Sequence, residues 1–333
     1  MATAAAISVG DDLAPSFGGR LLHPGDDGYD EARQLHNGLI DKRPALIAQC
    51  QTTADVVDAV NLARDAGAEL AVRGGGHGVA GRAVTDGGLM IDLSPMQGIH
   101  VDPRGCTVRA QPGLTWRTFN RAAAVHGLAT TGGVVSTTGI AGLTLGGGIG
   151  WLAGKHGLTV DNLLSAEVVT AEGTVITASD DEHPELFWAL RGGGGNFGVV
   201  TSFEYRAHPV RDVLAGPVLH SLTDAHDALA FHREFTASVS DELTVGAALL
   251  HAPDGSGTKV AGLVPCHCGD PDTADAEVKP LRAFGAPLAD LVQPIPYPVV
   301  NTLLDGAFPK PKGALNYWKS GCAPRGAVLT ERG

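Results

Sequence analysis

Arg73-Gly74-Gly75-Gly76-His77-Gly78 decides how the rest of this chain is read. Three consecutive glycines set bare backbone amides side by side, and amides so arranged form an anion-binding nest, the usual partner of a pyrophosphate. An imidazole follows at once. A histidine of ordinary pKa is mostly neutral near pH 7, so a ring nitrogen is available as a nucleophile. The loop therefore suits a phosphate-bearing cofactor and could also bond to it. Taken alone, the same six residues describe a tight turn with a surface histidine, because short motifs recur by chance.

Working outward, Thr53 is a candidate cap for a helix whose Val56, Val57, Val60 and Ala63 share one face and which Gly67 ends. Residues 69–73 read as a short buried strand running straight into the loop, and residues 89–93 and 107–110 as two more strands. Residues 114–126 read as a helix closed by Gly127. Residues 165–170 and 174–177 alternate around Glu172-Gly173, the pattern of a hairpin. A short helix over 184–190 leads into a second glycine turn, 191–198, which feeds a strand over 199–206. After Pro209 the glycine clusters stop. Residues 224–237 and 273–284 then read as helices, and 243–251 and 259–265 as strands. The expected organisation is an N-terminal arm (1–40), a first domain (41–209) and a second (210–333).

A longer glycine cluster runs Ser136-Thr137-Thr138-Gly139-Ile140-Ala141-Gly142-Leu143-Thr144-Leu145-Gly146-Gly147-Gly148-Ile149-Gly150. Small residues recur so often that a ligand or another backbone must lie against them, and a regular helix over 130–150 is not expected. The stretch from Gly148 formally fits a dinucleotide fingerprint, but no clean strand leads into it and no acidic ribose reader follows. A Walker loop fails, because Ile149 and His156 stand where glycine and Ser or Thr are required. The chain has no Gly-x-Ser-x-Gly elbow to carry a serine nucleophile. Cys266-His267-Cys268 lacks zinc spacing and a second pair, so it reads as ordinary strand and no metal site is expected.

Totals narrow the field. The 333 residues carry a net charge of −12, which repels phosphate backbones and argues against DNA or RNA as a partner. Hydrophobic residues make up 44%, enough for a real core. The five cysteines are odd in number and scattered, which is no disulfide framework. Residues 1–10 show no signal-peptide pattern, and no run is apolar enough to span a membrane. The expectation is a soluble cytoplasmic protein that works on a small molecule.

Four segments, taken together, resemble the FAD-linked oxidases of the berberine-bridge-enzyme-like group, within the vanillyl-alcohol-oxidase/p-cresol-methylhydroxylase superfamily. They are Arg73-Gly-Gly-Gly-His77-Gly, Gly146-Gly-Gly-Ile-Gly150, Lys155-His-Gly-Leu-Thr-Val-Asp-Asn162 and Gly195-Asn-Phe-Gly-Val-Val200. The resemblance implies an α+β fold: a two-subdomain PCMH-type FAD-binding domain followed by a partial α+β substrate domain. It assigns cofactor contacts to Arg73, Gly74, Gly75, Gly76, His77 and Gly78, to Val135, Ser136, Gly139, Gly142, Ile149 and Gly150, and to Val199 and Val200. His77 would be joined covalently to the 8α-methyl of FAD. Hydride would pass from an alcohol or amine carbon to flavin N5, with O2 as electron acceptor.

Two departures qualify that reading. Many relatives make a second flavin link from a cysteine whose matching position is Val135, so a single attachment is expected; a histidine of the same loop is Leu143 here. Family members also continue past Gly333 with a Tyr- and Asn-rich closing segment. Asn316-Tyr-Trp-Lys-Ser-Gly321 is similar to it, but the residues from Cys322 are not, as in a truncated chain. The catalytic base is therefore unassigned, with Tyr317 a faint candidate. A degenerate FAD-binding protein without turnover is the alternative.

Overall fold

Thr52 and Asp55 form a reciprocal cap. Thr52 Oγ1 accepts the Asp55 N–H at 3.2 Å, and Asp55 Oδ2 accepts the Thr52 N–H at 2.9 Å. The helix Thr53–Asp65 starts there. The sequence points to Thr53 as the cap. Thr52 takes the role because it has an acid three residues on that can return a bond to its own N–H. Gly67, at φ 59, turns the chain out of the helix. The helix buries Val56, Ala59, Val60 and Ala63.

The computed structural model describes residues 17–307, so the 316–321 segment, Tyr317 and Cys322 lie outside the described residues. A first sheet of four strands has the order Arg20–Leu22, Leu46–Gln49, Leu89–Asp92, Leu70–Arg73. The last three are parallel, while Arg20–Leu22 pairs antiparallel along the edge. Parallel strands put their carboxyl ends together, which is where open sheets of this kind bind ligands. The glycine loop leaves Arg73 at that end.

The second sheet is antiparallel, in the order Ile99–Asp102, Thr107–Ala110, Val199–Arg206, Leu163–Val169, Val175–Ser179. The expected hairpin is its last pair. Helices Trp116–Ala124 and Pro184–Leu190 bury Trp116, Phe119, Phe187 and Leu190 in a core with Phe203 and Tyr205. Helix Thr53–Asp65 serves both sheets: Val56 and Val60 share a core with Val169 and Val199, and Thr53 Oγ1 donates to Glu167 Oε1 at 2.9 Å.

Within the glycine-rich stretch 130–150 lies one short helix, Ile140–Leu145, where no regular helix is expected from the sequence. Ile140, Ala141, Thr144 and Leu145 fall on one buried face. Thr144 Oγ1 bonds the Ile140 carbonyl at 2.7 Å and Tyr205 Oη at 2.8 Å, which ties this helix to the second sheet.

The third sheet runs Ala289–Asp290, Val218–Ser221, Lys259–His267, Asp212–Ala215, Gln293–Pro296, and Leu243–His251 lies along the other edge of Lys259–His267. Helices Ala225–Phe235 and Pro271–Arg282 pack on it. Asp270 caps the second by accepting the Asp272 N–H, so it begins two residues before the expected 273. The strand predicted for 259–265 continues through His267, whose buried ring meets Glu277 Oε2 at 3.0 Å. Among the described residues no helix is long and apolar enough to cross a membrane, and no group of His, Cys, Asp or Glu is placed to hold a metal ion.

Asp55 also accepts the backbone N–H groups of Gly18 at 2.7 Å and Gln51 at 2.9 Å, and it is buried. Asp55→Ala leaves these donors without an acceptor and is expected to cost about 3 kcal/mol, read as a lowered urea midpoint at unchanged m-value.

Candidate functional site

Arg73, at the end of its strand, points its side chain back into the body. Its guanidinium donates to the Ala32 carbonyl and lies 3.7 Å from the carboxylate of Asp92, whose side chain is fully buried. Asp92 also takes the Gln49 side-chain N–H at 3.0 Å and the Ser94 N–H at 3.0 Å. This charged footing fixes where the glycine loop begins, and the Arg73 carbonyl accepts the Leu93 N–H at 2.8 Å.

Gly75 then meets Gly139. A Cβ added to Gly75 would lie 2.5 Å from Gly139 N and Cα, and one added to Gly139 would lie 2.4 Å from Gly75 N. Two loops from different layers thus touch backbone to backbone, a contact that only glycine permits. Gly76 sits at φ 68, and its carbonyl accepts the His36 N–H at 3.0 Å. His77 comes next. Its ring stacks on His36, with centroids 4.1 Å apart at 13°, and its Nε2 lies 2.9 Å from Thr137 Oγ1. The imidazole is thereby held between the N-terminal segment and the second glycine loop.

The cofactor residues expected from the sequence are placed differently. Gly74, Gly75 and His77 are brought against the 137–139 stretch. Val135 and Ser136 are buried beneath it, and Ser136 bonds to Arg117 and Asp305. Gly142 and Gly78 face open space, with nothing within 4 Å of an added Cβ. Gly150 packs on the Gly132 carbonyl, while its neighbour Ile149 is exposed. Val199 and Val200 turn their side chains into two different cores, which leaves only their backbone to meet a ligand.

Sequence reasoning missed His36, Thr137, Arg117 and Asp305. Thr137 stood inside a quoted motif and could have been weighed as a hydroxyl beside small residues. The other three carry no local signal, since their partners are distant in the chain.

These residues fit a flat, phosphate-bearing group. Among the described residues the backbone N–H groups of Gly74, Gly75 and Gly76 have no hydrogen-bond acceptor. Such amides are the donors that an anionic diphosphate requires. Gly78 and Gly142 each leave open space where a side chain would stand.

Residues 44–179 match the family model described as an FAD binding domain, a span that holds both glycine loops. Over 317 residues the chain is 30% identical to an FAD-linked oxidoreductase of Dictyostelium discoideum, an alignment covering 95% of this chain and 68% of that protein. The chain belongs to the FAD-linked oxidoreductases. Among solved structures this oxidoreductase is similar to 6-hydroxy-D-nicotine oxidase from Arthrobacter nicotinovorans, with a TM-score of 0.82 and 36% identity over 89% of this chain and 66% of that one. It is also similar to BBE-like 1 of Physcomitrella patens, with a TM-score of 0.79 and 26% identity over 89% and 64% of the two chains. The α+β, PCMH-type fold expected from the sequence is thus the observed one. The chain spans about two thirds of the length of these relatives.

A second imidazole stack lies in the Lys155–Asn162 motif of the oxidoreductase. His156 and His208 are 3.8 Å apart at 12°, and His208 Nε2 meets Asn162 Oδ1 at 2.7 Å. Burial, then His208 and Lys155, push the His156 pKa down to about 4; burial, then Arg206 and Lys155, lower that of His208. Lys155 itself pairs with Glu242 at 2.6 Å.

Two outcomes follow. Between the ordinary histidine value near 6.5 and about 4, the unfolded chain binds a proton at His156 that the folded chain refuses. Stability is expected to be unaffected by this group above pH 6.5 and to fall below it; melting temperatures from pH 8 to 5 should drop, with a shallower slope in His156→Phe. The glycines separate as well. Gly75→Ala is expected to lower stability by about 1–3 kcal/mol through overpacking, whereas Gly142→Ala, in a helix with open space outside, should raise it by up to about 1 kcal/mol, both read from urea midpoints.

Proposed function

We propose that this chain is an FAD-dependent oxidase with its flavin attached once, through His77, and that it oxidises a carbon bearing an alcohol or amine with O2 as electron acceptor. The observation that carries the reading is the placement of His77: a stacked imidazole at the end of a glycine run whose amides lack acceptors. Val135, at the position of a second link in many relatives, has no nucleophile. The amine class is supported by a similar protein named as a 6-hydroxy-D-nicotine oxidase.

In this reading Gly74, Gly75 and Gly76 bind the diphosphate through backbone N–H groups. Gly78 and Gly142 keep the surface bare so that a flat ring can approach, and Gly139 lets its loop close on Gly75. His77 anchors the ring, and Thr137 and His36 hold the imidazole in place. Bound FAD would supply the two-electron acceptor that no side chain of the protein provides. The whole enzyme's substrate range depends on more than the residues that line this cradle.

The test is direct. Purified protein precipitated with acid should give a yellow, fluorescent pellet, and His77→Ala should release its flavin to the supernatant. A colourless wild-type pellet overturns the covalent attachment. Anaerobic addition of cyclic amines or of alcohols should bleach the visible flavin band. An acid-stable flavin that none of them bleaches would leave a cofactor-holding protein without this turnover.

A further inference from the structure

Asp305 is remote in sequence from both glycine loops, yet its carboxylate takes three donors from beneath one of them. Oδ1 accepts the Ser136 backbone N–H at 2.9 Å. Oδ2 accepts the Ser136 hydroxyl at 2.7 Å and Arg117 Nη2–H at 2.9 Å. Arg117 completes the cluster: its Nε–H reaches Ser136 Oγ at 3.1 Å and its backbone N–H the Ser136 carbonyl at 2.8 Å. On the same segment the buried Asn301 donates to the Gly133 carbonyl at 2.6 Å. The 301–305 stretch, carried by the third sheet, therefore grips the glycine loop at Gly133 and at Ser136.

The next loop residue is Thr137, whose hydroxyl meets His77 Nε2. On its far side the Thr138 carbonyl accepts the Trp116 N–H at 2.9 Å. Thr137 is thus pinned before and after, and among the described residues the charged group that pins it from the segment following the third sheet is Asp305, at Ser136. A neutral imidazole has one N–H and one lone pair. The Thr137 hydroxyl can donate to Nε2 or accept from it, so whatever fixes its place fixes the ring's direction and biases which nitrogen carries the proton.

We propose that Asp305 is a positioning residue for His77, acting through Ser136 and Thr137. This rests on the reading of His77 as the attachment residue. Attachment exchanges an 8α C–H and an imidazole N–H for one C–N bond, and O2 takes up the two hydrogens with their electrons as H2O2. The imidazole must present its lone pair to the methyl carbon while its proton leaves, so a ring turned by a fraction of its width loses the reaction. Misplacement by about 1 Å can cost on the order of a hundredfold in rate.

The experiment compares wild type, Asp305→Asn, Asp305→Glu and Asp290→Asn as full-length apoproteins from flavin-depleted cells. Asp290 accepts from Arg282 at 2.7 Å and from the Val292 N–H at 3.0 Å in the third sheet, and among the described residues it makes no hydrogen bond to the glycine loops, so its variant reports the loss of an ion pair remote from them. FAD is added in air-saturated buffer and acid-stable flavin is followed with time. Asp305→Asn puts an N–H group where Arg117 needs an acceptor and should slow the appearance at least about tenfold. Asp305→Glu should recover part of the rate, and Asp290→Asn should match wild type. Equal rates in wild type and Asp305→Asn overturn the proposal. Wild type that binds FAD but forms no acid-stable flavin defeats the attachment reading instead. The positioning claim is then decided by long-range 1H–15N spectra of the His77 ring in the apoproteins. A changed tautomer population in Asp305→Asn supports it, and identical spectra overturn it.

Discussion

Gly75 and Gly139 touch through their backbones, and much of the rest of the structure serves to hold that contact. One glycine belongs to the loop that leaves the first sheet. The other leads into the short helix fastened to the second. A methyl group on either would force the layers apart, so both positions must lack a side chain, and each loop needs support that does not come from the contact itself. The Arg73–Asp92 pair gives it on one side. On the other, Thr144 links its helix to Tyr205 in the aromatic core.

Much of the scaffold was legible in the sequence because its signals are local. Alternation and a Glu-Gly turn gave the hairpin of the second sheet, and apolar spacing gave the helix after Cys50. The errors lie where a local rule had two solutions. Thr52 and Thr53 are equally good cap residues until the return bond from Asp55 is considered. Residues 140–145 look too rich in glycine neighbours to be helical, yet a buried face of Ile140, Ala141, Thr144 and Leu145 outweighs that composition. The strand predicted to stop at Pro265 runs on, because pairing with both Leu243 and Leu214 extends it to His267.

The candidate site was legible only in part, for a different reason. His77 and the glycines announce themselves as a motif. The groups that orient them do not. His36 reaches His77 through ring stacking, and Asp305 reaches Ser136 across the whole intervening chain. Neither residue type has a preferred spacing from its partner, so only the folded chain brings them together. The motif names the reacting group, and the tertiary structure supplies its orientation.

Helix Thr53–Asp65 has one more implication. Because its apolar side packs with Val169 and Val199 as well as with the first sheet, neither sheet owns it. Removal of either sheet would expose part of a shared core, so the two stand or fall as one block. The matched region, residues 44–179, crosses from one sheet into the other without a break. The third sheet stands outside that shared core and reaches the block through Asn301 and Asp305, so it is the part that can change without opening it.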